Sequence, residues 1–396
     1  MSNIKLTEIR KNPANKKWDG FFSVANAEKA RSFHEGIPEY ENTPLACLSN
    51  LAGYLGIKGL YVKDESSRFG LNAFKGLGGS YAISKYIAGL LGKEEISFEE
   101  IISPEVREII KDVTFVTATD GNHGRGIAWT SEKLGVKSVV YLPQGSSRER
   151  LENIKALGAD ASITECNYDD TVRFAKKQAG KNGWVFIQDT AWEGYEEIPA
   201  NIMLGYTTLA LEAFEELGDV RPTHVFLQAG VGAMSGAITG ILTSCYGDDS
   251  PVITIVEPDR ADCIYRTALA ADGKLHNVEG DLDTMMAGLA CGEPCTIGWK
   301  LISAHADFAM SVPEAAAARG MRVLGNPIGD DRRVISGESG AVTAGIVYEL
   351  LTEESLLGLK KKIGLDENSV ILLISTEGDT DKENYRRIVW DGHIPI

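Results

Sequence analysis

Short apolar runs alternate with longer segments of helical periodicity along most of the chain. The apolar runs are rich in β-branched residues and predict strands at residues 60–63, 114–117, 138–142, 161–164, 184–188, 224–228, 252–256 and 370–375. Apolar positions with helical spacing predict helices at residues 124–134, 148–157, 169–181 and 201–217. This alternation predicts an α/β fold with largely parallel sheets.

The middle of the chain predicts a domain of its own. Residues 78–192 form a compact run of strand–helix units, which is typical of a small doubly wound domain. We therefore predict two doubly wound parallel α/β domains, with the smaller one (78–192) inserted in a larger one made of residues 1–77 and 193–396.

Composition and charge narrow the class of protein. Of 396 residues, 43% are hydrophobic and 24% are charged, which is the balance of an ordinary globular protein. The net charge of −16 argues against a nucleic-acid or anionic-membrane partner. The first 17 residues have no apolar signal core, and the most apolar stretch, 225–242, is interrupted by polar residues. We expect a soluble cytoplasmic protein with no membrane span.

The six cysteines are sparse for this length and do not predict a disulfide scaffold. Cys291 and Cys295 lie in CGEPC, but no second cysteine or histidine pair completes a zinc pattern, so we expect no metal site. Whether Cys263 meets Cys291 in space is left open by the sequence.

The loop at residues 72–80 contains a candidate nucleophile. Lys75 stands among apolar and glycine residues in NAFKGLGGS, at the predicted start of a helix. Reduced hydration is expected to lower the pKa of its amine and to favour a Schiff-base role. The alternative is a surface lysine whose stem packs on apolar neighbours.

The two loops that follow the strands at 114–117 and 224–228 are candidate anion sites. TATDGNHGRG, at 117–126, offers Asp120, Asn122 and exposed backbone amides, or simply a helix cap. QAGVGAMSG, at 228–236, is a glycine-rich turn of the kind that holds phosphate. It partly matches a dinucleotide fingerprint, so a nicotinamide oxidoreductase stays an alternative, but it lacks a Walker lysine.

Two further polar positions follow predicted strands. Asp189 comes directly after the strand at 184–188 and is expected to face the cleft, or else to serve as a turn residue. Ser375 and Thr376, in ISTEGD, follow the last strand, where a hydroxyl can hydrogen-bond a ring nitrogen or simply belong to a polar turn.

Together these segments resemble a known family. VKDES followed by NAFKG resembles the lysine site of pyridoxal-phosphate enzymes of fold type II, the tryptophan-synthase-β type, although Ala73 replaces the family's serine or threonine. TDGNHGRG resembles the family's asparagine loop, and AGVGA resembles its phosphate loop with fewer glycines. The stretches FIQDTAWEGY, TMMAGLACGEPC and ISTEGDTD resemble the diaminopropionate ammonia-lyase subfamily. The resemblance extends from about residue 43 to 380.

The resemblance implies a cofactor, pyridoxal 5′-phosphate, and a role for each matched residue. Lys75 would hold the cofactor, Phe74 would pack on its ring and Asn122 would bond the ring hydroxyl. The phosphate loop would add the backbone amides of Gly230, Val231, Gly232 and Ala233. Ser375 matches the residue that faces the pyridine nitrogen, with Thr376 as the adjacent alternative.

The resemblance also implies the reaction, in which 2,3-diaminopropionate and water give pyruvate and two ammonia from either isomer. Lys75 would remove the α-proton of the L isomer and Asp120 that of the D isomer, while Asp189 would bind the β-ammonium. Serine or threonine dehydratase and a non-catalytic amino-acid or cofactor-binding protein on the same fold are the alternatives. A homodimer is expected from the family, whereas isomer preference and monovalent-cation dependence are left open.

Overall fold

Two β-sheets organise the chain. The computed structural model describes residues 4–119 and 121–394, so Asp120 lies outside the described residues. The strands in the described part are β1 Lys5–Glu8, β2 Leu45–Cys47, β3 Gly59–Asp64, β4 Thr114–Ala118, β5 Lys137–Leu142, β6 Asp160–Ile163, β7 Val185–Phe186, β8 His224–Gln228, β9 Val252–Pro258, β10 Phe308–Val312 and β11 Val370–Ser375.

The larger sheet has seven strands in the order β1-β10-β9-β8-β11-β3-β2. Its five central strands pair in parallel, and the edge strands β1 and β2 are antiparallel to their neighbours. Every residue of β8 and of β11 is buried. Residues 225–227 of β8 and 370–374 of β11 are all apolar, as expected where helices cover both faces of a parallel sheet.

The smaller sheet has four parallel strands in the order β6-β5-β4-β7. All of its strands come from residues 114–186, within the segment predicted to form the inserted domain. The bounds of the two domains stay a prediction.

Helices pack on both sheets. In the described part they are α1 Val24–Glu35, α2 Ser49–Leu55, α3 Gly76–Leu90, α4 Phe98–Ile101, α5 Pro104–Ile110, α6 Asn122–Leu134, α7 Arg148–Lys155, α8 Tyr168–Asn182, α9 Glu197–Leu217, α10 Ala233–Tyr246, α11 Cys263–Ala270, α12 Thr296–His305, α13 Glu314–Gly325, α14 Glu338–Thr352, α15 Leu357–Ile363 and α16 Lys382–Val389. None of these helices is long and apolar enough to cross a membrane. All six cysteines are free thiols.

Close helix packing brings the first turns of α3 and α6 together. A side-chain carbon added at Gly126 would lie 3.1 Å from the Cα of Gly76. A carbon added at Gly78 would lie 2.4 Å from the Tyr206 ring, so α9 is equally close on the other side of α3. Glycine at these points lets the backbones approach, and the residue just before α3 thereby reaches the start of α6.

The observed strands agree with the apolar pattern in the centre of the large sheet and depart from it at the edges. β8 and β11 have the predicted bounds, while the strand predicted at 184–188 is reduced to Val185–Phe186. The pattern did not identify β1, β2 or β10. The two edge strands β1 and β2 have only four and three residues, too few for a clear alternation.

Candidate active site

A cavity opens at the carboxyl ends of strands from both sheets. Its walls come from the loops after β4, β7, β8 and β11 and from the loop before α3. The lining residues that concern the chemistry are Phe74, Lys75, Asn122, Tyr168, Asp189, Gln228, Gly230, Val231, Gly232, Ala233, Ser235, Ser339, Thr376 and Glu377. Loops far apart in sequence meet here because parallel strands end at one edge of a sheet.

Lys75 and Asp189 form an ion pair in the cavity. The Nζ of Lys75, the residue that precedes α3, donates to Oδ2 of Asp189. The other oxygen, Oδ1, accepts from Tyr168 Oη at 3.3 Å and from Gln188 Nε2 at 3.1 Å. Burial alone would raise the pKa of Asp189, but the charges of His123 and Lys75 outweigh it and hold that pKa at about 2. The cavity thus contains a buried carboxylate that stays ionised at neutral pH and faces an amine.

The glycine-rich loop between β8 and α10 forms a concave backbone surface. Gly232 has φ +88°, a conformation that other residues rarely adopt. A side-chain carbon at Gly230 would lie 3.1 Å from the carbonyl oxygen of Gly288 and 3.2 Å from Cys291 Sγ. The first amides of a helix such as α10 have no acceptor within the helix, so they favour an anion.

Ser235 adds a hydroxyl to this concave surface. Its side chain is fully buried, lines the cavity, and its Oγ has no hydrogen-bond partner among the described residues. A buried hydroxyl without a partner is costly unless a ligand satisfies it. Ser235 was not singled out from the sequence, where its position after the glycines was its only signal.

Asn122, the first residue of α6, lies across the cavity. Its Nδ2 donates to Oε2 of Glu377 at 2.5 Å. Glu377 is 1% exposed and lines the same cavity. The sequence analysis assigned no role to this glutamate, although it follows β11 closely, as the other cavity residues follow their strands.

The structure separates the two hydroxyls considered for the pyridine nitrogen. Ser375 Oγ bonds Ser336 Oγ at 2.8 Å, and Ser375 is not among the described residues that line the cavity. Thr376 does line it, and its Oγ1 accepts from Gln228 Nε2 at 3.0 Å. Consecutive residues at the end of a strand point to opposite sides, so only one of the two hydroxyls faces the cavity here. Which of them meets the pyridine nitrogen stays a prediction.

An aromatic wall stands beside the lysine. The ring of Phe74 lies 4.7 Å from the ring of Tyr206, and Lys75 Nζ lies 5.7 Å from the centre of the Phe74 ring. The packing of Phe74 on the ring of the cofactor stays a prediction. Asp120, predicted for the opposite face, lies outside the described residues.

Comparison with known proteins decides the family. Residues 37–374 match the model described as "Pyridoxal-phosphate dependent enzyme". The chain belongs to this family. Among curated proteins it is 50% identical over 375 residues to diaminopropionate ammonia-lyase from Escherichia coli K12, with 94% of this chain and 93% of that protein covered. The corresponding enzyme of Salmonella typhimurium is 50% identical over 367 residues, covering 91% of each chain.

Solved structures agree with the sequence relatives. Holo diaminopropionate ammonia lyase from Escherichia coli superposes with a TM-score of 0.91 at 46% identity, covering 99% of this chain and 98% of that one. A threonine deaminase from Solanum lycopersicum, at 19% identity, has a TM-score of 0.70 and shares the fold alone. The predicted fold type II architecture is thus confirmed, and so is the cofactor, pyridoxal phosphate.

The residues of the cavity fit this cofactor. Lys75 offers an amine in the cavity, the group with which an aldehyde cofactor can react. At Gly230 a side-chain carbon would crowd Gly288 and Cys291, so glycine there keeps the backbone close to both. The unpartnered Ser235 hydroxyl, beside the first amides of α10, offers a donor to a phosphate group.

Proposed function

We propose that the protein is a diaminopropionate ammonia-lyase, which converts 2,3-diaminopropionate and water to pyruvate and two ammonia. The observation that carries the proposal is the ion pair of Lys75 and Asp189 inside the cavity. It brings a buried carboxylate to the amine of Lys75, and we assign that carboxylate to the second amino group of the substrate. The 50% identity to curated enzymes of this activity supports the same conclusion.

The cavity residues divide the work of holding the cofactor. Lys75 would hold it covalently, and the amides of residues 230–233 with the Ser235 hydroxyl would hold its phosphate. Asn122 would hydrogen-bond the ring hydroxyl, and Thr376 would face the pyridine nitrogen. When bound, pyridoxal phosphate supplies an electron sink that makes the α-proton of an amino acid removable.

Asp189 binds and orients the β-ammonium group of the substrate. Beside His123 and the free amine of Lys75, the pKa of this carboxyl group is held at about 2, and the residue is 4% exposed. A buried negative charge favours the protonated form of the amine, and an amine leaves best when protonated. The neutral hydroxyl of serine or threonine gains much less from such a partner.

Two bases serve the two isomers. Lys75 takes the α-proton of the L isomer, and Asp120, assigned by its place in the TDGNHG motif, takes that of the D isomer. The Asp120→Asn variant is accordingly expected to lose activity on the D isomer preferentially. Equal losses on both isomers would contradict this division.

The purified protein and a panel of substrates test the proposal. We expect an absorption band at about 410 nm, which Lys75→Ala should lose. We also expect pyruvate from both D- and L-diaminopropionate. A band without pyruvate from either isomer, together with turnover of serine or threonine, would make the protein a dehydratase. A band with no turnover of any of them would indicate a binding protein on the same fold.

We also propose a homodimer in the cytoplasm and the domain division into 78–192 and the remainder. The resemblance to fold type II enzymes supports the dimer, and the low cysteine content supports a reducing compartment. The confinement of the four-stranded sheet to residues 114–186 supports the domain division. Light scattering of the holoenzyme measures the mass, and a monomer would refute the dimer.

A further inference from the structure

Glu377 lies between two loops that the proposed function assigns to the cofactor. Residue 377 forms an antiparallel bridge with Ala73, directly before Phe74 and Lys75. On either side of it, Phe74 N donates to Thr376 O at 3.1 Å, and Gly378 N donates to Asn72 O at 3.0 Å. The backbone at 376–378 is therefore fastened to the loop that carries the Schiff-base lysine.

The side chain of Glu377 reaches the second loop. It accepts from Asn122 Nδ2 at 2.5 Å and from the Ser339 backbone amide at 3.2 Å. Thr380 Oγ1 donates to the same oxygen as Asn122, at 3.4 Å. Three donors around one buried carboxyl are the surroundings of an ionised acceptor.

A carboxylate decides which way the amide of Asn122 points. A carboxylate only accepts hydrogen bonds, so the amide nitrogen of Asn122 faces Glu377. In the opposite orientation the amide oxygen would face the carboxylate oxygen, and two acceptors would repel each other. The same nitrogen carries a second N–H. Resting on the role of Asn122 proposed above, we propose that Glu377 is a positioning residue, which fixes this amide so that Asn122 presents a donor to the ring oxygen of the cofactor.

A second buried glutamate interacts electrostatically with Glu377. Glu338 is also buried, and its pKa is raised to about 7 by burial and by the charge of Glu377, against the lowering effects of Arg150 and a hydrogen bond from Asn384.

The Glu377→Gln variant tests the proposal, since a glutamine cannot satisfy the same three donors. If the glutamine oxygen accepts from the Ser339 amide, the glutamine NH₂ faces the NH₂ of Asn122. These two donors repel each other, and rotation of the Asn122 amide by half a turn relieves the repulsion. We expect the dissociation constant of pyridoxal phosphate, from absorption titration, to rise roughly tenfold. We also expect the band at about 410 nm to lose intensity to shorter wavelength, because the amide oxygen of the rotated Asn122 favours the protonated ring hydroxyl.

A double-mutant cycle with Asn122→Ala separates positioning from general damage. If Glu377 acts through Asn122, the double variant binds the cofactor no more weakly than Asn122→Ala alone. Glu349→Gln is the matched control. Glu349 is also a buried glutamate, but it lies on α14, is paired with Arg319 and does not line the cavity. It should leave affinity and spectrum unchanged.

Each alternative outcome has its own meaning. If the double variant loses cofactor affinity by the product of the two single-variant factors, the inference is overturned and the role of Asn122 stays intact. An unchanged affinity and spectrum in Glu377→Gln would do the same. An unchanged affinity in Asn122→Ala would overturn both the inference and that part of the proposed function. Melting of each apoprotein identifies a variant that merely fails to fold.

Discussion

Removal of the Ser235 hydroxyl should separate stability from cofactor binding. The hydroxyl is fully buried and has no partner among the described residues. Such a group costs about 1–3 kcal/mol when it stays unpaired, so Ser235→Ala should leave the free energy of unfolding of the apoprotein unchanged or raise it by about 1 kcal/mol. A hydrogen bond to a charged phosphate contributes about 1.5–3 kcal/mol, so cofactor affinity should fall roughly 10- to 100-fold.

The assay compares urea unfolding of the apoprotein with absorption titration by pyridoxal phosphate. Thr239→Val is the matched control: Thr239 lies one turn further along α10, is also fully buried, and donates to the Ser235 carbonyl oxygen at 2.7 Å. That variant should lose up to about 1 kcal/mol of stability and keep its cofactor affinity. Wild-type affinity in Ser235→Ala, or a loss of apoprotein stability as large as the loss of binding, would refute the reasoning.

Two further predictions concern stability. The pKa of Glu338 is raised from 4.5 to about 7, so the native state binds more protons in this interval and loses stability as the pH rises through it. The wild type loses about 1.4 kcal/mol of unfolding free energy for each pH unit in this interval. Relative to wild type, the unfolding free energy of Glu338→Gln should therefore rise by about 3 kcal/mol from pH 4.5 to 7. A difference in urea unfolding that does not change with pH would contradict this. In Gly345→Ala, the new carbon would lie 1.7 Å from the carbonyl oxygen of Ala316, so α13 and α14 must separate at a cost of roughly 3 kcal/mol. Gly358→Ala, whose new carbon has nothing within 4 Å, should keep or raise the melting temperature, and equal melting of both variants would exclude the clash.

The sequence predicts the site as far as local signals reach. Asn122 and Asp189 follow predicted strands, Lys75 lies at the predicted start of a helix, and parallel sheets place such positions at one edge. In the structure all three residues line a single cavity.

Two features of the site lie beyond such signals. The bond between Asn122 and Glu377 joins residues 255 positions apart, and no local pattern specifies which carboxylate meets which amide. The choice between Ser375 and Thr376 depends on which side of β11 faces the cavity. All six residues of β11 are buried, so the strand has no alternation of polar and apolar positions from which its facing could be predicted.

The candidate site depends on the relative position of the two sheets, because each sheet contributes some of its residues. Asn122 and Asp189 follow strands of the four-stranded sheet, whereas the glycine loop and Glu377 follow strands of the seven-stranded one. Helix α3 packs between them, with Lys75 at its start. A side-chain carbon at Gly205 of α9 would lie 2.6 Å from the carbonyl oxygen of Leu77, so that contact is as close as the one between α3 and α6. Because packed backbones cannot be separated without loss of contact, the glycines of these helices set the distance across which Lys75 meets Asp189.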